Sequence, residues 1–83
     1  MTIDKWDRAE QAHADIRAEM QKAVGKHDWF ASRHEGYAVI HEELDELWDE
    51  VKSNGPPERI YAEAIQVAAM AVEFAALFGG GGE

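Results

Sequence analysis

The sequence predicts an all-α fold of three main helices, a bundle completed by association with further copies. Three observations lead there. Strand signals are absent and no internal repeat stands out. Apolar residues recur every three or four positions in three stretches separated by Gly, Asn and Pro punctuation. The third stretch is apolar on both faces, so two neighbouring helices cannot cover it, and an oligomer built around this helix, with the helix buried in the interface, is expected.

The first helix is expected from about Asp4 to Val24, ending near Gly25 as a left-handed cap. Trp6, Ala9, Ala12 or His13, Ile16, Met20 and Ala23 supply its half-buried stripe. Ser32 with Glu35 three residues on makes a capping box for the second helix. That helix runs to about Ser53 and stops at Asn54-Gly55-Pro56-Pro57. At about 100° per residue, Tyr37, Ile40, Leu44, Leu47, Trp48 and Val51 fall on one arc, the expected core stripe. Glu43, Glu46 and Glu50 cluster beside it, with Glu42 on their flank. The third helix begins near Pro57 or Glu58, where proline is tolerated, and ends at Phe78. Its one face carries Glu63, Gln66, Val67, Met70, Glu73, Phe74 and Leu77. Its other carries Ile60 or Tyr61, Ala64, Ala68, Ala71, Val72 and Ala75. Residues 1–78 thus form one domain, and 79–83 a Gly-rich tail.

Charge narrows the partners. Seventeen acids against eight Lys and Arg give a net charge of −9. Nucleic acid polymers and anionic membrane surfaces would repel such a chain. A small phosphorylated ligand remains compatible if divalent cations bridge it to the carboxylates. With no cysteine, a disulfide framework and a thiolate zinc site are excluded, and a reducing cytoplasmic setting fits. The N-terminus lacks a signal-peptide pattern. Segment 60–78 is apolar, but Glu63, Gln66 and Glu73 interrupt it, which argues against a membrane span.

Seven acids lie between residues 35 and 52, against the single strong base Lys52. The pairs 42/45, 42/46, 43/46, 45/49, 46/49 and 46/50 sit at helical spacings of three or four. Each such pair costs about 0.2–0.5 kcal/mol, and Asp49 and Glu50 also oppose the helix dipole. A helix built this way wants cations. Glu43 and Glu46, three apart, can share one hard divalent ion. If the second and third helices pack antiparallel, Glu63 and Gln66 face that pair across the bundle, as in other helical carboxylate sites. An acid in an otherwise apolar helix is rarely left unpaired, which sets Glu63 apart from the common acid-rich surface.

Glu42-Glu43-x-x-Glu46 followed by Glu63-x-x-Gln66 resembles the MazG-like all-α nucleotide pyrophosphohydrolases, whose pattern is Glu-Glu-x-x-Glu and then Glu-x-x-Asp. The phrases His34-Glu35-Gly36-Tyr37, Glu42 to Trp48 and Glu63 to Ala71 are similar to small phage-type members, over about residues 26–78. The resemblance implies magnesium or manganese held by Glu43, Glu46 and Glu63. It also implies hydrolysis of nucleoside triphosphates, deoxynucleotides above all, to monophosphate and pyrophosphate. Glu42 is then the candidate to orient or deprotonate the attacking water. The chain departs from the pattern at Gln66, whose amide oxygen can coordinate but brings no charge. An inactive nucleotide or metal binder would fit that departure.

In the connecting loop, Trp29 or Phe30 can stack on a base while Lys26 or Arg33 meets phosphate, the alternative being that both rings plug the end of the bundle. Arg59, one turn before Glu63, is a further phosphate candidate. His34 and His41 are too far apart for one zinc, and His41 is expected at the core edge beside Trp48. The competing view of the whole chain is a non-catalytic helical interaction module with a solvated acidic face.

Overall fold

Three helices make up the computed structural model: α1 (Lys5–Val24), α2 (Arg33–Lys52) and α3 (Pro57–Phe78). It describes residues 4–24 and 29–79, and no strand occurs among them. Gly25, Lys26 and the tail from residue 80 onward lie outside the described residues.

Local chemistry sets each helix end. Asp4 caps α1, its Oδ1 accepting from the amides of Trp6 and Asp7 at 3.0 Å each. Ser32 Oγ accepts from the Glu35 amide at 3.0 Å, while Glu35 Oε1 reaches back to the amide of Ala31 at 2.6 Å. The capping box therefore closes one residue earlier than its usual form, which takes the cap residue's own amide. At the far end of α2, Asn54 adopts φ 57°. The Gly55 amide donates to Glu50 O at 2.8 Å and the Asn54 amide to Val51 O at 3.2 Å, a complete Schellman motif. Pro56 and Pro57 then open α3, where a missing N–H costs nothing.

α3 is the central helix, with α1 and α2 each packed on it rather than on one another. α2 runs antiparallel to it. Arg33 lies over the Phe78 ring, Gly36 under Phe74, and Glu50 beside Arg59. α1 takes the other side, where the Tyr61 hydroxyl donates to Asp15 and Ile16 and Met20 line a groove with Val72. Both apolar faces of α3 thus find a neighbour within the chain over residues 63–70, all half-buried or buried. Farther on, Ala71, Val72, Ala75 and Leu77 stay exposed. By length and composition alone α3 would also pass for a membrane span; within the chain it is the helix on which the other two pack, with Ile65, Ala69 and Glu73 buried.

The expected core stripe of α2 is displaced. Tyr37 is 66% exposed, Trp48 56%, Leu44 49% and Val51 44%. The face turned to α3 is instead Gly36, Val39, Ile40, Glu43, Leu47 and Glu50. The cause is that α2 has a single neighbour, so only one edge of its stripe (Ile40, Leu47) is covered. His41, expected at the core edge, is exposed with that stripe; its ring lies 6.0 Å from Tyr37 and its Nδ1 3.6 Å from Asp45 Oδ2. Trp6 of α1 is likewise 71% exposed.

The close approach of α2 to α3 depends on Gly36. A Cβ there would meet Phe74 at 2.7 Å and Phe30 at 3.1 Å. Phe30 is itself core, 8% exposed, with its ring centroid 6.5 Å from that of Phe74. Gly36→Ala should therefore lower stability by about 1–3 kcal/mol through overpacking, outweighing the gain of about 0.5–1 kcal/mol that alanine brings inside a helix. Chemical denaturation of the two proteins measures this, and equal or higher stability of the variant would show that the aromatic contact yields freely.

Candidate metal centre

Antiparallel packing brings the second turn of α3 alongside the middle of α2, and the carboxylates meet there. Glu43, Glu46 and Glu63 each offer an oxygen, and these atoms lie within 4.8 Å of one another. Glu43 and Glu63 are half-buried and Glu46 is exposed, so the group opens to solvent on one side. Three hard oxygen donors from two helices are the donor chemistry that suits magnesium or manganese.

Among the described residues, acids outweigh bases around this cluster. Partial burial, first, and then Glu46, Glu63, Glu42 and Glu19 raise the Glu43 carboxyl above its ordinary value of 4.5. Burial again leads for Glu63, followed by the charges of Glu46 and Glu50 and a hydrogen bond with Glu46. Arg59 pulls Glu63 the other way, too weakly to reverse the shift. Its guanidinium sits 3.7 Å from Glu50 Oε2, with Arg59 exposed and Glu50 mostly covered. The basic partners of α2's other acids are surface ones, such as Lys52 on Asp49 at 3.3 Å.

Two of the acids acting here were not among the expected site residues. Glu50 projects beside Glu43 and Glu46, a signal the sequence does hold. Glu19 comes from α1, and nothing in its neighbourhood marks it; only the docking of α1 on α3 brings it in. Gln66 is half-buried on the α1 side of α3. It lines a cleft of about 250 Å3 with Asp15, Glu19, Lys22, Tyr61 and Ile65 among others. Of the four expected ligands, three converge and the fourth shares its surroundings with Glu19.

The expected substrate residues separate. Arg59 stands near the carboxylates. Arg33 is packed on Phe78 at 5.8 Å, ten residues from Glu43 and so about 15 Å away along the helix. Phe30 is buried against Phe74 and beside Gly36, the position that the plugging alternative assigns to this ring. Trp29 is half-buried next to it. Lys26 lies outside the described residues. Glu42 is exposed on the flank of the cluster, close enough to add to the raised pKa of Glu43.

No protein-family model, curated protein or solved structure matches the chain.

Raised carboxyl pKa values give stability a definite pH dependence. Glu43 and Glu63 bind protons more readily folded than unfolded. Their repulsion therefore weakens the fold fully above the raised values and is relieved as pH falls through them toward 4.5. In chelator, the melting temperature should rise on acidification from neutral pH toward that range. A divalent ion binds the ionised form, so manganese should stabilise at neutral pH and lose its effect over the same window. A chelator melting temperature that is flat or falls across this window would mean that the cluster is not under charge strain.

Proposed function

We propose that the chain is a metal-dependent nucleoside triphosphate diphosphohydrolase, acting on (d)NTP to yield (d)NMP and pyrophosphate. The observation carrying this reading is the convergence of Glu43, Glu46 and Glu63 from two antiparallel helices, with two of the three held above their ordinary pKa. It supports the resemblance to the MazG-like, small phage-type pyrophosphohydrolases drawn from Glu42-Glu43-x-x-Glu46 and Glu63-x-x-Gln66. A cytoplasmic setting and a homo-oligomeric state, dimer or tetramer, belong to the same proposal.

Glu43, Glu46 and Glu63 would hold Mg2+ or Mn2+. When bound, the ion supplies positive charge against the polyphosphate and acidifies a nearby water. The chain's own residues divide the remaining work. Glu42, exposed at the edge of the cluster, orients the attacking water and takes its proton. Arg59 meets phosphate oxygens by exchanging Glu50 for them. Water oxygen forms a bond to the α-phosphorus, the bond from that phosphorus to the bridging oxygen breaks, and pyrophosphate leaves. Gln66 contributes an amide oxygen and no charge, so the site holds less negative charge for cations to balance than where an aspartate stands.

Glu43→Gln or Glu46→Gln should each abolish metal-dependent release of pyrophosphate from a nucleotide panel. Apo stability should stay equal or rise slightly, since either change relieves like-charge repulsion. Full activity in both variants, read by liquid chromatography with magnesium or manganese, would reduce the acids to a solvated face.

Position 66 separates ligand from bystander. Gln66→Asp adds a negative charge beside Glu19 and the cluster. It should lower the melting temperature in chelator, tighten manganese binding, and recover the loss when manganese is present. An equal loss with and without manganese would remove position 66 from the metal site.

A further inference from the structure

Among the described residues, four of the eight exposed large hydrophobic side chains lie on α2 and form one stripe. Tyr37, His41, Leu44, Trp48 and Val51 follow one another at intervals of four, three, four and three, and every one of them is exposed. That is the heptad seam spacing of two helices packed side by side. No formal charge interrupts it. At 66% and 56% exposure, Tyr37 and Trp48 are side chains that normally bury about 150–250 Å2 each. With His41, Leu44 and Val51 the stripe offers on the order of 500 Å2, the greater part of the roughly 800 Å2 per partner that a specific interface covers. Within the chain, meanwhile, the described core is small: Phe30, Ile65 and Ala69 are its buried apolar side chains.

We infer that the Tyr37–His41–Leu44–Trp48–Val51 stripe of α2 is the seam on which two copies of this chain pair across a two-fold axis. A seam on a single straight helix is self-complementary: each copy presents the same spacing to the other, which a closed two-fold dimer requires. Trp48 and Tyr37 are the anchors, being the large aromatic groups on which interface energy concentrates. The helical projection puts the stripe roughly 100° around α2 from the face on α3, and the outward acids Glu42 and Glu46 on the far side. Pairing through it leaves Glu43, Glu46 and Glu63 open. The proposal therefore stands apart from the hydrolase reading, sharing with it only the homo-oligomeric state, and it moves the interface from α3 to α2.

Charge distinguishes a second copy from another occupant. Two chains of −9 repel, so added salt should tighten a pairing between copies, whereas it would loosen the docking of a basic partner. The chain has no cysteine, so single cysteines report proximity cleanly. Sedimentation of the full chain at micromolar concentration should give twice the 9.3 kDa monomer mass, with a dissociation constant that falls as salt rises. Trp48→Gln or Leu44→Gln should weaken the dimer about tenfold or more while helicity by circular dichroism is retained. Leu44→Cys should cross-link between copies under mild oxidation, and Val72→Cys, exposed on α3, should not. Because a glutamine variant could simply unfold, the cysteine pair keeps the test independent of stability. A monomer at all concentrations, a dimer indifferent to both glutamine changes, or cross-linking through Val72→Cys alone would overturn the inference. Nucleotide hydrolysis and manganese binding, assayed on the same samples, fail or succeed independently of these outcomes.

Discussion

The register of α2 against α3 decides where the charges fall. At one end Gly36 lets the Phe74 and Phe30 rings come into contact distance of the α2 backbone. At the other, the Schellman turn at Asn54 and the two prolines that follow fix how α3 departs. Both ends are pinned by short-range geometry, so the middle has no freedom to slide. A slip of one residue would turn each side chain by about 100° around its helix. In the register formed, Glu63 has to face Glu46 and Glu43. Apolar contact therefore holds together groups that repel, and burial first, then that repulsion, raises the pKa values of Glu43 and Glu63.

Helix boundaries were legible in the sequence because they depend on neighbours along the chain. Asp4, the Ser32/Glu35 pair and Asn54-Gly55-Pro56-Pro57 act within a few residues of themselves; the Ser32 cap and the stop at Asn54 are as expected, while the capping by Asp4 and the reach of Glu35 to Ala31 were not read in advance. The carboxylate triad was legible for a related reason: an i, i+3 pair and one acid on the next helix need only an antiparallel partner. Which way α2 faces was not legible. Its apolar arc says what wants burial, but the number of neighbours decides what is buried, and α1 docks on α3 instead of on α2. Glu19 was invisible for the same reason. The packing of Phe30 against Phe74 was one of two readings that composition leaves equal, and the missing side chain of Gly36 gives that packing its room.

The result is a helix with distinct faces. One edge of α2 packs on α3 and carries Glu43 and Glu50. A second face carries the outward acids, Glu42, Asp45 and Asp49. A third is apolar and open. Such a division explains how one 20-residue helix can be heavily acidic and strongly apolar at once. It also separates demands that would conflict on a two-faced helix. The open apolar stripe and the outward acids stay apart, while Glu43 shares the packed edge with Val39, Ile40 and Leu47 and reaches the cluster from there.

Under the proposed hydrolase reading, charge also dictates the order of events. A triphosphate approaching a chain of net charge −9 meets repulsion at long range and uncompensated carboxylates at short range. Arg59 is the cation the structure places at the cluster, and it is already engaged with Glu50. An ion pair with so exposed a guanidinium contributes only about 0–1 kcal/mol, so exchanging its carboxylate for phosphate costs little. That exchange alone does not help, because releasing Glu50 adds a bare charge next to Glu63, whose pKa it already raises. A divalent ion removes both obstacles at once: it compensates the triad and gives the phosphates a positive surface. The cation must accordingly bind before the nucleotide or arrive with it, and the arrangement of Glu50 and Arg59 makes sense only on that order.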